Sequence, residues 1–135
     1  MKDPDLAIIA RLLADPAISK LVGTRVYRVN LPPNPQWPSI TVQGISDIED
    51  GDTNTSKYAH TRVQCTAWAK NDVGASGLSK LIRASLHGLT NTTLPCGDDW
   101  VYFENCKDAG ARPDANPAIP VYMWIRDFRI EYKAD

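Results

Sequence analysis

Four carboxylates lie within six residues of the first half of the chain, a density that could serve a hard cation. They are Asp47, Glu49, Asp50 and Asp52, grouped around Gly51. Oxygen ligands of this kind suit Ca²⁺ or Mg²⁺. Their spacing, however, departs from the twelve-residue EF-hand loop and lacks its terminal Glu. The pattern therefore favours a solvated acidic turn over a metal site, and we predict no metal.

Nucleophilic residues occur in the chain, but none has a partner at a useful spacing. Cys65 and His60 are five residues apart on one predicted strand, so about 17 Å would separate their Cα atoms. Proton transfer between them is excluded at that distance. Ser76, between Gly74 and Gly77, lacks the G-x-S-x-G spacing of a nucleophile elbow. We predict no catalytic residue and no cofactor, and therefore a protein that is not an enzyme.

The cysteines and the apolar runs indicate a reduced, soluble protein. The three cysteines, Cys65, Cys96 and Cys106, are an odd number without a Cys-x-x-Cys pair. Cys96 and Cys106 could approach each other across a hairpin, although nothing in the sequence requires a disulfide. The apolar stretch 6–10 ends at Arg11, which makes it too short for a membrane span or a signal-peptide core. We therefore expect no membrane contact.

Length and composition predict one globular domain over residues 1–135. The chain has 43% hydrophobic and 23% charged residues, enough for one core and ordinary for a folded domain. Its formal net charge is -1. A dedicated nucleic-acid-binding protein would carry a strong basic excess, so this class is disfavoured.

Two short helices are predicted at the N-terminus and one longer helix further on. Asp3 with Pro4, and Asp15 with Pro16, each give an N-cap followed by a favourable first helical residue. Gly23 provides the left-handed residue that ends the second helix. The main helix begins at residue 71 or 72, and its apolar side recurs at helical spacing.

The remaining pattern predicts strands joined by polar connections. Strands are expected at residues 25–29, 39–46, 58–69, 100–107 and 121–133. Loops are expected at residues 47–57, 90–99 and 108–120, and a stiff proline-rich connector at 31–38. The fold class is therefore α+β: an antiparallel sheet of about four to five strands, with the N-terminal helices and the main helix packed on one face.

The last strand carries an irregular pattern. Val121, Met123 and Ile125 are apolar on odd positions, whereas Phe128 and Ile130 are apolar on even positions. Such a change requires a bulge near residues 126–127 or burial of both faces.

Tryptophans could anchor a protein–protein contact on the sheet. Trp68 lies on the polar face of its strand, which indicates that this second face is not simply solvated. Tryptophan is enriched at interface hot spots, although core packing explains most tryptophans in or beside strands. We take Trp37, Trp68 and Trp124 as candidate interface residues.

Four segments in the same order resemble one known family. They are residues 21–27 (LVGTRVY), 37–42 (WPSITV), 62–69 (RVQCTAWA, followed by Leu81, Ile82, Arg83 and Leu86) and 127–132 (DFRIEY). Together they resemble the tail completion, or tail terminator, proteins of long-tailed bacteriophages and prophages, long catalogued as a domain of unknown function. The resemblance covers nearly the whole chain, and the main departures lie in loops 47–57 and 108–120.

The resemblance implies a structural protein of the virion tail, assembled in the cytoplasm of the bacterial host. Such proteins form a ring, expected to be a hexamer, on the finished end of the tail tube. Its partners would be further copies of itself, the tail tube protein and the head–tail connector protein. DNA would pass through the lumen without specific binding, with the acidic segment 47–52 facing either the lumen or a basic partner.

Three alternatives remain open from the sequence. A head–tail connector or adaptor subunit would differ in partner but not in class. A small metal-dependent enzyme would use the acidic loop and would bind Ca²⁺ or Mg²⁺. A monomeric ligand-binding domain would need a deep pocket and would not self-associate.

Overall fold

A computed structural model of the chain describes residues 3–49, 58–116 and 121–133. Three helices and six strands form this part of the chain. In order they are α1 (Pro4–Ala14), α2 (Pro16–Val22), β1 (Val26–Arg28), β2 (Ser39–Glu49), β3 (Tyr58–Ala69), α3 (Asp72–Leu86), β4 (Thr90–Cys96), β5 (Asp99–Asn116) and β6 (Val121–Lys133). Helices and a largely antiparallel sheet confirm the α+β class.

Both N-terminal helices begin and end where the sequence predicts. Pro4 opens α1, and the side chain of Asp15 accepts a 3.0 Å hydrogen bond from the Ala17 N–H at the start of α2. Gly23 ends α2 with a φ of 61°, which a residue with a Cβ would adopt at a cost. Asp3 occupies the N-cap position of α1, but its side chain makes no capping hydrogen bond.

The sheet has the strand order β1-β2-β3-β6-β5-β4. The short β1 pairs parallel with β2, and the other pairs described are antiparallel. The expected four to five strands are therefore six. The additional strand is β4, which lies in the region predicted to be a polar loop.

β4 forms because a long neighbour is available, and not because its own sequence is apolar. It pairs with the first part of β5, with Leu94 opposite Val101 and Pro95 opposite Trp100. Leu94 and Cys96 are buried beneath the helices, while the remaining side chains are exposed or half-buried. These two inward positions are too few to show a strand pattern in the sequence.

The predicted loop at 108–120 is also wrong over most of its length. β5 continues to Asn116 and pairs with β6 as far as Val121. A bulge between Asp108 and Gly110 interrupts the pairing, and Gly110 has a φ of 118°. The side chains of residues 111–115 are all exposed, so this part of the strand has no apolar alternation.

β6 keeps one face toward the helices along its length. Its pairing with β3 runs from Lys133 to Tyr122 without a shift, and the bulge expected at residues 126–127 lies instead in the facing part of β5. The apparent break arises because a charged residue, Arg126, occupies an inward position and is buried. Asp127, on the opposite face, is buried as well.

The core lies between one face of the sheet and helices α1 and α3. On α3, Leu78, Ile82 and Leu86 are fully buried, and they face Phe103 and Phe128 of the sheet. The Asn71 side chain caps α3 by accepting a hydrogen bond from Gly74 N–H at 2.6 Å. No helix in the described part of the chain covers the other side of the sheet, which we call the open face.

Candidate functional site

The open face is built from the outward positions of β2, β3, β6 and β5. In the middle of the sheet, one cross-strand row there consists of Thr41, Thr66 and Ile125, and the next of Trp68 and Met123. Thr41 and Thr66 are buried although no helix covers them. Neighbouring side chains on this face must therefore shield them from water.

Trp37 and Trp68 provide this shield at one end of the open face. Their rings stack with centroids 6.1 Å apart and planes 24° from parallel. The indole N–H of Trp68 donates a 3.0 Å hydrogen bond to the Thr41 hydroxyl. Both indoles remain half-buried, so the pair leaves part of its aromatic surface accessible. The structure thus brings two of the three predicted aromatic residues together.

Trp124 does not join this pair, because it lies on the helix-covered face. It packs against the edge of the core, and its indole N–H donates a 3.0 Å hydrogen bond to Asp72 at the start of α3. This contact ties the first turn of the main helix to β6. Its position is that of a structural residue, on the face opposite to Trp37 and Trp68.

Two of the four carboxylates singled out in the sequence lie outside the described residues. The backbone of Asp47 and Glu49 belongs to β2 and pairs with Thr61 and Ala59. Asp50 and Asp52 fall in the segment 50–57 that the structure does not describe. Whether the four carboxylates lie close together stays a prediction.

Basic side chains form a second feature of the open face. Lys107 of β5, Arg129 of β6 and Arg62 of β3 are direct cross-strand neighbours in one row. Asp127 lies two residues before Arg129 on the same face of β6. Its carboxylate forms a 2.8 Å ion pair with Arg62 and lies 3.6 Å from the guanidinium of Arg112. The sequence analysis missed this row, since the residues are far apart in the chain and only the strand register joins them.

An exposed tryptophan is a third feature. Trp100 is 57% exposed and is the second residue of β5; Asp98 in the β4–β5 turn and Asp99 at the start of β5 are exposed too. We call residues 98–100 the acidic tip. Sequence reasoning placed Trp100 in a strand but did not single it out, although the adjacent Gly97, Asp98 and Asp99 signal a solvated turn.

On the helix-covered face, a charge network centred on the buried Arg126 joins β5, β6 and α3, with Arg83 at its exposed edge. Arg126 donates to the Ser79 hydroxyl at 3.0 Å and to Asp108 at 2.6 Å, and Arg83 donates to Asp108 at 2.9 Å. Desolvation alone would raise the pKa of Asp108. The Gly110 N–H and the guanidinium groups of Arg126 and Arg83 outweigh it, so the pKa of Asp108 lies below its ordinary value.

The cysteines show no sign of reactivity. All three are buried free thiols, and Cys96 donates a 3.1 Å hydrogen bond to the Asp3 carbonyl. Burial raises the pKa of Cys106 to about 12, and the pKa of Cys65 is raised further by the same cause. At neutral pH these two thiols are protonated, the form that neither attacks an electrophile nor binds a metal.

Two shallow grooves open on the surface. One, of about 460 Å³, lies beside the start of α1, where Arg28 pairs with Asp5 at 2.7 Å. This hydrogen bond raises the pKa of Arg28. The other, of about 440 Å³, lies over the basic row of the open face. Within residues 3–49, 58–116 and 121–133, no three His, Cys, Asp or Glu side chains converge as metal ligands. No described helix is long and apolar enough to cross a membrane.

These features define a class of protein: a small α+β domain in which one face of the sheet is covered by helices and the open face carries aromatic and charged groups. The model of the family "Tail completion protein gp17" matches residues 6–129, nearly the whole chain. The chain belongs to this family, and it is accordingly a bacteriophage tail structural protein.

Comparison with solved structures supports the fold. A chain from the "Virion of native gene transfer agent (GTA) particle" superposes with a TM-score of 0.72 at 17% sequence identity. The match covers 96% of this chain and 93% of the other, so the two share an architecture from end to end. No curated protein matches this chain.

Proposed function

We propose that this protein caps the end of the tail tube as a ring, terminates tube polymerisation and forms the surface that joins the head. The observation that carries the proposal is the family match over residues 6–129. The open face supports it physically, because aromatic and charged groups on an uncovered sheet suit contact with other subunits.

The ring would be a hexamer of this chain, held by one repeated contact between unlike surfaces. Such a head-to-tail contact generates a closed ring when its rotation closes and a filament when it does not. The other two partners would be the tail tube protein on one side and the head–tail connector protein on the other. The assembled ring would belong to the virion tail and would form in the bacterial host cytoplasm.

DNA would pass through the lumen of this ring without specific binding. Asp47, Glu49, Asp50 and Asp52 would face the lumen, where their charge repels DNA phosphate. The overall charge of -1 supports the absence of specific nucleic-acid binding.

Electron microscopy of particles from a host strain lacking this gene tests the proposal. We expect overlong tails and heads without tails, and restoration of joined particles by the gene supplied in trans. Tails of normal length that merely fail to join heads would instead indicate the connector or adaptor role. Joined particles of normal shape from the deletion strain would contradict both roles.

A further inference from the structure

The basic row of the open face is electrostatically incomplete. Lys107, Arg129 and Arg62 lie directly opposite one another on adjacent strands, and like charges in such positions destabilise a sheet. Arg62 is paired with Asp127, but Lys107 and Arg129 form no ion pair with any described residue. Both side chains are exposed beside a groove of about 440 Å³. Glu131 also lines this groove, but its carboxylate lies 3.9 Å from the His60 ring and the structure records no ion pair from it to Lys107 or Arg129. This arrangement suits an acidic group supplied from outside the subunit.

The acidic tip has the complementary chemistry. Trp100, with more than half of its surface exposed, would contribute a large apolar area to a contact. Asp98 and Asp99 add two exposed carboxylates directly before Trp100 in the chain, and one oxygen of Asp99 accepts the backbone N–H of Trp100 at 2.7 Å. A tryptophan with adjacent carboxylates matches a groove lined by lysine and arginine, which can pair with carboxylates and stack on an indole.

We propose that the acidic tip of one subunit docks in the basic groove of a neighbouring copy of the same chain. A subunit cannot bind its own tip, because Trp100 and Lys107 are seven residues apart on one strand, roughly 23 Å. The occupant is therefore a second copy. This inference rests on the proposed ring and names the surfaces that hold it together.

The two surfaces are different parts of the subunit, so the contact is heterologous. Each copy offers its tip to one neighbour and its groove to the other, which produces a closed ring when the rotation between neighbours closes. Burial of the exposed Trp100 and neutralisation of Lys107 and Arg129 then occur together. Assembly removes the like-charge repulsion that the isolated sheet retains.

A charge-exchange experiment tests the contact in particles from the deletion strain. The tip variant is Asp98→Lys/Asp99→Lys, and the groove variant is Lys107→Glu/Arg129→Glu. We expect each variant alone to lower the yield of joined particles at least about tenfold, as expected for loss of interface hot spots. Co-expression of the two should restore the yield, because a hexamer can alternate them with every tip facing an oppositely charged groove.

Control variants distinguish a charge change at the proposed contact from the same charge change elsewhere on the surface. Lys70→Glu/Lys80→Glu makes the same charge change at two exposed lysines outside the groove, and its yield should equal that of the native chain. The thermal midpoints of the purified tip and groove variants should lie within a few degrees of the native value. If co-expression leaves the yield as low as each variant alone, the proposed contact is wrong.

A photochemical probe identifies the occupant directly. Asn105, which lines the groove, is replaced by p-benzoylphenylalanine, and native-like particles are irradiated. We expect a crosslink to the peptide that carries the acidic tip of a second copy. A crosslink to residues 47–57 of a second copy, to another tail protein or to DNA would overturn the proposal.

The outcomes also distinguish this inference from the proposed function. If the deletion strain makes overlong tails while tip and groove variants assemble normally, the capping role stands and the tip–groove contact fails. If the deletion strain makes normal joined particles, the capping role itself fails.

Discussion

The two faces of the sheet use charge in opposite ways. On the helix-covered face, the buried Arg126 donates hydrogen bonds to Ser79 and Asp108 within the fold. On the open face, Arg129, three residues along the same strand, has no ion-pair partner among the described residues. The difference teaches that folding alone satisfies the charge on one face and leaves exposed charge on the other, where the proposed contact with a second copy would pair it. Mutations on the two faces should therefore affect different measurements.

The largest effect on stability should come from the covered face. Phe128→Ala removes a fully buried ring and leaves a cavity, so we expect the free energy of unfolding to fall by about 3–5 kcal/mol. Met123→Ala is the matched control on the open face, where the side chain is half-buried, and should cost less than about 1.5 kcal/mol. Urea denaturation measures both, and equal losses would mean that the faces do not differ in this way.

Breaking the buried network should be the next largest effect. Asp108→Asn leaves Arg126 with a weaker acceptor in a buried position, so we expect a loss of about 2–3 kcal/mol in the free energy of unfolding. Asp114→Asn, at an exposed position of the same strand, should change it by less than about 0.5 kcal/mol. A loss as small at Asp108 as at Asp114 would show that the network does not stabilise the fold.

The same network predicts a dependence on pH. Because the pKa of Asp108 is lower in the folded than in the unfolded chain, its stabilising contribution is fully present above the unfolded value near 4. It is lost as the pH falls below that value and through the folded pKa. The difference in unfolding free energy between the native chain and Asp108→Asn should therefore shrink on acidification from about pH 6 to 2. A constant difference over this range would contradict the assignment.

A smaller change in stability should follow from loss of the aromatic stack. Trp37→Ala removes the ring contact with Trp68, and we expect a cost of about 1 kcal/mol. If this end of the open face contacts another subunit, the yield of joined particles should fall by much more than that cost explains. A yield equal to that of the native chain would show that Trp37 is not part of an interface.

The smallest effect on stability should come from the acidic segment 47–52. Replacing Asp47, Asp50 and Asp52 by Asn and Glu49 by Gln should leave the free energy of unfolding within about 0.5 kcal/mol and leave assembly unchanged. DNA release from the particles, followed by dye fluorescence, should become slower. Release at the native rate would contradict a lumenal role for these carboxylates.

Local signals in the sequence were sufficient for much of the fold. The helices were predictable because Asp15, Pro16, Gly23 and Asn71 act through contacts within a few residues. β3 was predictable because apolar side chains recur at every second position, and these are the positions that the structure buries. In each case the physical cause lies within the segment itself.

The strands that were predicted as loops form through pairing with a neighbouring strand. β4 and the second half of β5 acquire their structure from backbone hydrogen bonds to a neighbour, while their own side chains are largely exposed. Arg126 misled the interpretation of β6 for a related reason, because its partners are Asp108 of β5 and the Ser79 hydroxyl of α3. Such partners are visible only once the chain is folded.

The candidate site was predictable to a similar extent. The stacking of Trp37 with Trp68 agrees with the expectation that the second face of the sheet is not simply solvated. Trp124 could be assigned to the helix-covered face only from the register between β3 and β6. The basic row could not be predicted, since it joins three strands that are distant in sequence. Trp100 carried a local signal, the polar turn that precedes it.

Pro95 has a consequence for a protein made in many copies inside a cell. It lies in β4, at the edge of the sheet, and proline has no N–H to donate to an approaching strand. Sheets of neighbouring molecules therefore cannot join without limit along this border into fibrils. Growth by that route is disfavoured, and subunits remain available for finite, ordered assemblies.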